Sequence, residues 1–170
     1  MNAAGVLVQA FDNIRDLVPA TVEGLSPEQL VARLDEGANP IGWLVWHLSR
    51  VQDSHVAEVA GREQVWTAEG WVQRFGLPYD ASATGFGQSP AEVAAFRVGS
   101  VDLLLGYHDA VHDRTVRWVR DRSDGDLDRI VDENWDPPVT LGVRLLSVIG
   151  DDLQHVGQAA YVRGVLERRT

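Results

Sequence analysis

Asp151 and His155 stand one helical turn apart in the run Asp151-Asp152-Leu153-Gln154-His155. On a helix that spacing puts both side chains on one side. A carboxylate oxygen and an imidazole nitrogen so placed can chelate one divalent metal. His47 lies on the apolar stripe of a second helical segment and could supply a third ligand, as facing helices of bundles do. Three protein ligands would leave one position for water or substrate, the pattern of catalytic sites. The spacing alone equally describes a hydrogen-bonded His–Asp pair and a satisfied core histidine. His55 lies two turns beyond His47 and also faces inward, as a base or as a helix–helix hydrogen-bonding group. Arg144 lies two turns before Asp151, where it could line the same mouth and bind an anion, or face solvent.

A second pair, His108 and His112, is also one turn apart, with Asp109 and Asp113 beside it. The segment YHDAVHDRTVR spreads polar residues around the helix, which predicts a solvated or interfacial face. Asp53 is expected to face solvent or to pair with Arg50. The six tryptophans read as core or pocket wall. Gly157 could permit close helix packing. A serine nucleophile lacks its G-x-S-x-G context, and neither a Walker loop nor a dinucleotide-binding glycine pattern occurs.

Long amphipathic helices must position these groups. Ala4, Leu7, Val8, Phe11, Ile14, Leu17 and Val18 predict a helix over 3–18, with Pro19 at its end. Ser26 and Pro27 start a short helix over 26–34. Asn39 before Pro40 signals the cap of a long helix over 40–60. Residues 61–88 are irregular, with one or two helical turns between Arg62 and Phe75. Ser89, Pro90 and Glu92 form a strong start signal for a helix over 90–121. A connection over 123–139 carries a short element near Leu127–Val131 and the rigid WDPP turn. Thr140 caps a last long helix over 141–168. No sustained alternating pattern competes, so the reading is all-α: a four-helix bundle with a long connection between helices two and three, in one domain over 1–170.

Composition narrows the function classes. Hydrophobic residues make up 45% and charged residues 24%, ordinary for a soluble globular chain. There is no cysteine. Disulfides, thiolate ligands and a cysteine nucleophile are excluded, and any thiol chemistry needs an external thiol. The net charge is -10, and all 15 basic residues are arginine. That balance argues against nucleic acid. The best basic stretch, Arg114 to Arg122, is interrupted by Asp121 and reads as a solvated face. No apolar run reaches membrane-spanning length, and the N-terminus lacks the basic start of a signal peptide. A cytoplasmic protein is expected.

Two segments carry a family resemblance: NPIGWLVWHLSRVQDSHVAEVAG and WDPPVTLGVRLLSVIGDDLQHVGQAAYVRG. The chain resembles the DinB-like superfamily of helical bundles, particularly its actinobacterial mycothiol-dependent maleylpyruvate isomerase and S-transferase branch. The H-x-G-Q run at His155 looks like the family's metal-binding segment. The resemblance implies that His47, Asp151 and His155 hold a divalent metal, zinc or nickel, with iron or manganese also permitted by a 2-His-1-carboxylate set. Many relatives have histidine at the position of Asp151, and the isomerase branch has glutamate; aspartate departs from both. The implied chemistry is metal activation of a small external thiol such as mycothiol, which attacks an electrophilic substrate, with His55 and Arg144 assisting. A homodimer is also implied. The alternatives are a metal-dependent hydrolase using bound water, a non-enzymatic stress-response or structural bundle, and a binding module built on the irregular connection.

Overall fold

The computed structural model describes residues 2–169. Four long helices dominate it: α1 (Ala3–Val22), α3 (Ile41–Ala60), α7 (Val101–Arg120) and α9 (Leu141–Arg169). Short helices fill the connections: α2 (Pro27–Leu30), α4 (Val65–Ala68), α5 (Trp71–Phe75), α6 (Pro90–Ala94) and α8 (Asp124–Leu127). Helix α3 packs between α9 and α7, and α1 closes the bundle against α7 and α9. One apolar core runs through it, from Phe11 and Ile14 on α1 through Leu44 and Leu48 on α3 to Leu145 and Val156 on α9. The all-α bundle and its long connection after the second long helix are therefore as the periodicity predicts.

Several boundaries differ from expectation. The helix expected over 90–121 is two helices, α6 and α7. Between them Phe96 and Val98 are both buried while Arg97 and Gly99 are exposed. A two-residue alternation suits extended chain, and it sends both apolar side chains into the core. Ser100 then caps α7 by accepting from the Leu103 amide. The expected cap at Ser89 does form, with Glu92 completing a capping box. Helix α1 continues through Pro19 to Val22, because Val18, Thr21 and Val22 are all buried. Burial of that last turn outweighs the hydrogen bond that proline removes. The helix from Ser26 is shorter than expected, and α3 starts after Pro40 without a side-chain cap from Asn39.

A small β-hairpin also replaces part of the expected connection. Strands β1 (Ile130–Asp132) and β2 (Val139–Thr140) pair antiparallel, Ile130 with Thr140 and Asp132 with Val139. The hairpin leads directly into α9, where the Thr140 hydroxyl accepts from the Val143 amide. Such short strands are invisible to a periodicity reading.

The histidines His108 and His112 are buried, so the solvated-or-interfacial face expected for them is interfacial, not solvated. Helix α1 lies along α7 and covers them. Asp12 accepts from His112 Nε2 at 2.8 Å, and Arg15 pairs with Asp109 at 2.9 Å. His108 donates from Nδ1 to the Ser49 hydroxyl, which itself donates to the Val45 carbonyl. Burial lowers the pKa of His108 to about 4, against an ordinary value of 6.5. The unfolded chain takes up this proton below pH 6.5 and the native one does not. The contribution of His108 to stability is thus complete above pH 6.5 and is lost as pH drops toward 4. The slope is about 1.4 kcal/mol per pH unit. Urea unfolding at pH 7 and pH 5 should show this slope in the wild type and a shallower one in His108→Gln.

Candidate metal centre

Helices α3 and α9 bring His47, Asp151 and His155 together. One ligand atom from each lies within 4.8 Å of the other two, and no other such cluster occurs among the described residues. The ring centroids of His47 and His155 are 4.7 Å apart, edge to face. His155 Nε2 is 3.6 Å from Asp151 Oδ1, one turn earlier on α9.

Each histidine is oriented by a bond to its other nitrogen. His47 Nδ1 donates to the carbonyl of Thr84, 2.5 Å away. His155 Nδ1 donates to Gln158 Oε1 at 2.9 Å. Both rings are thus held in the tautomer that leaves a lone pair on Nε2, the usual arrangement of metal-binding imidazoles. Trp43 stacks on the His47 ring at 4.6 Å and 17°. Burial lowers the pKa of His47 and favours its neutral form. The Asp151 carboxylate beside Nε2 favours the protonated ring and raises the pKa of His155 against the effect of its burial. Burial pushes the Asp151 carboxyl up, but the nearby His155 ring, which can pair with it when protonated, outweighs burial and the pKa falls. A proton on His155 and a metal would therefore compete for the same face.

The fit to a divalent ion is tested by Asp151 Oδ2, which is buried and has no hydrogen-bond partner. An unpaired carboxylate oxygen beside two imidazole lone pairs is costly unless a cation joins them. Two neutral imidazoles and one carboxylate are a donor set for zinc, nickel, iron or manganese. The aspartate reaches the cluster despite being shorter than the glutamate expected from the resembled branch. The next residue, Asp152, is fully buried with neither oxygen partnered; burial, then Asp151, pushes its carboxyl well up.

The loop before α6 supplies what the helices cannot. Gly85 has φ +96°, and a Cβ there would lie 2.7 Å from His47 Nδ1 and 2.9 Å from Trp43. Only glycine lets the chain pass close enough for Thr84 to receive the His47 proton. Gly85→Ala is expected to cost about 1–3 kcal/mol from backbone strain and to weaken metal binding. Thermal unfolding with and without zinc measures both effects.

A cavity of about 450 Å3 opens beside the cluster, lined by His47 and Asp151 together with His55, Arg144 and Ser147. Its size suits a small molecule. A second cavity, about 520 Å3, adjoins it and shares Thr84 and Phe86; Tyr79, Asp80, Gln88 and Glu92 line its other side. His55 and Arg144 meet at the first cavity, His55 Nδ1 accepting from Arg144 Nη1 at 3.2 Å. Arg144 also donates to Glu58 at 2.8 Å and Asp132 at 3.1 Å. The sequence reading included neither Asp132 nor Glu58 in the site, nor Thr84.

Residues 10–159 match the family model of the DinB superfamily. The chain belongs to the DinB superfamily. A solved structure of a conserved protein from Enterococcus faecalis superposes with a TM-score of 0.90 and 26% identity, covering 96% of each chain. No curated protein matches. This DinB protein thus combines the family's bundle with a His47/Asp151/His155 cluster that could coordinate a metal. No helix among the described residues is long and apolar enough to cross a membrane.

Proposed function

We propose that the protein is a metal-dependent S-transferase, or a thiol-dependent isomerase, acting with a small external thiol of the mycothiol kind. The observation that carries this reading is the position of the cluster. Three donors from two helices form one cluster, and two of them, His47 and Asp151, line an open cavity. A three-donor set of this kind leaves room for an exchangeable ligand. A bound zinc or nickel ion would lower the pKa of a thiol held there and so favour its thiolate. The chain has no cysteine of its own, so the thiol must come from solution. Two adjoining cavities offer separate room for a thiol's body and for an electrophile.

The protein's own residues have defined tasks in this scheme. His47 and His155 are held with Nε2 free by Thr84 and Gln158. Asp151 supplies negative charge next to them. His55 and Arg144 line the same cavity and would face an electrophile bound in it. The test is incubation with mycothiol and a set of small electrophiles, read by mass spectrometry. The thiol conjugate should form with the wild type and not with His47→Ala or His155→Ala. A hydrolysis product without any conjugate would favour bound water as the nucleophile, and so overturn the thiol reading.

A further inference from the structure

Val51, Val139, Val143 and Val148 line the first cavity. Phe86 and Trp135 also line it, yet remain 91% and 66% exposed, so two largely exposed aromatic rings stand at the cavity. Rings and branched apolar walls gain by covering a flat apolar surface.

The cavity's one cation-bearing side chain of fixed charge is already engaged. Arg144 Nη1 donates to Glu58 and Nη2 donates to Asp132. Two carboxylates more than neutralise one guanidinium. An incoming carboxylate would meet Asp132, which lines the cavity, as a like charge, while Glu58 already occupies another of the guanidinium's donors, and both penalise it. A guanidinium has no acceptor atom, so the His55 Nδ1 facing Arg144 must carry the lone pair. The proton of the neutral ring is then on Nε2. Among the described residues nothing accepts a hydrogen bond from His55 Nε2. This ring therefore offers the cavity a donor, not a base.

We infer that the cavity takes a neutral, flat, largely apolar compound whose acceptor oxygen meets His55 Nε2–H. Arg144 is a positioning residue: it fixes the His55 tautomer and binds no anion. The assignment of this compound as the electrophile rests on the function proposed above; the charge preference and the tautomer do not.

The comparison uses 2-naphthamide and 2-naphthoate, which share shape and differ in charge. Both are titrated into the full-length His155→Ala protein, so that a metal cannot hold the carboxylate. The amide should bind about tenfold or more tightly than the carboxylate, the size of a single unfavourable charge contact. Nitrogen-15 spectra of the same protein should show His55 protonated on Nε2 at neutral pH. In Arg144→Gln the spectra should shift toward the Nδ1–H form, and amide affinity should fall while the fold is kept. Equal or tighter binding of naphthoate, no binding of naphthamide, or a His55 proton on Nδ1 in the His155→Ala protein overturns the inference. Loss of thiol-conjugate activity with these results intact would count against the thiol reading alone.

Discussion

Asp53→Ala should destabilise the fold by about 3–5 kcal/mol, the usual result of breaking a buried ion pair from one side. Asp53 accepts from the Val65 and Trp66 amides, both at 2.8 Å, and from the Tyr107 hydroxyl at 2.9 Å. Arg50 Nη1 lies 3.6 Å from the same carboxylate, and both side chains are almost wholly buried. Burial pushes the Asp53 carboxyl up more than these partners pull it down. Its removal would orphan two backbone amides at the start of α4 and leave a buried guanidinium without its counter-charge.

The loss should also reach the metal centre. Arg50 donates through Nε to the carbonyl of Ala83, the residue before Thr84. Through that bond α3 holds the loop whose next carbonyl fixes His47. A loosened Arg50 would therefore loosen the His47 ring, and zinc affinity should drop along with stability. Urea unfolding and zinc titration of Asp53→Ala and Asp53→Asn read the two effects separately. A loss below about 1 kcal/mol, the range of an exposed ion pair, would contradict the network.

The second large effect concerns metal and stability. Zinc added to the metal-stripped protein should raise its unfolding midpoint, because a ligand that binds only the native state stabilises by mass action. At a thousandfold excess over Kd the gain is about 4 kcal/mol, or about 10 °C for a chain of this length. The buried, unpartnered Asp151 Oδ2 is the structural reason the native state should take the ion. His155→Ala should show no zinc-dependent shift. Gln158→Ala keeps all three donors but frees the His155 ring, so a 10- to 100-fold weaker affinity is expected, about the usual cost of losing an outer-shell partner. Differential scanning fluorimetry at several zinc concentrations distinguishes these cases. An equal shift in His155→Ala would place the ion elsewhere.

Helical periodicity made the four long helices legible, since each buries a stripe such as Phe11, Ile14 and Val18 on α1. It also placed His47 inward and put Asp151 and His155 on one side of α9. The break after α6 was not legible, because Phe96 and Val98 fit either period over so short a stretch. Asp12 and His112 meet across 100 positions, and no local pattern announces that pairing. The outer partners of the site divide the same way. Gln158 follows His155 by three residues on a helix, a spacing that sequence can reveal. Thr84 acts through its backbone carbonyl, which no side-chain pattern encodes. Gly85 was visible only as one glycine in an irregular stretch, and its contact with His47 decides its meaning.

The most direct test of the centre is the metal content of protein purified without added metal, measured by mass spectrometry for the wild type, His47→Ala and His155→Ala. A three-donor site predicts about one divalent ion per wild-type chain and nearly none in either variant. The same metal content in all three proteins would contradict the site.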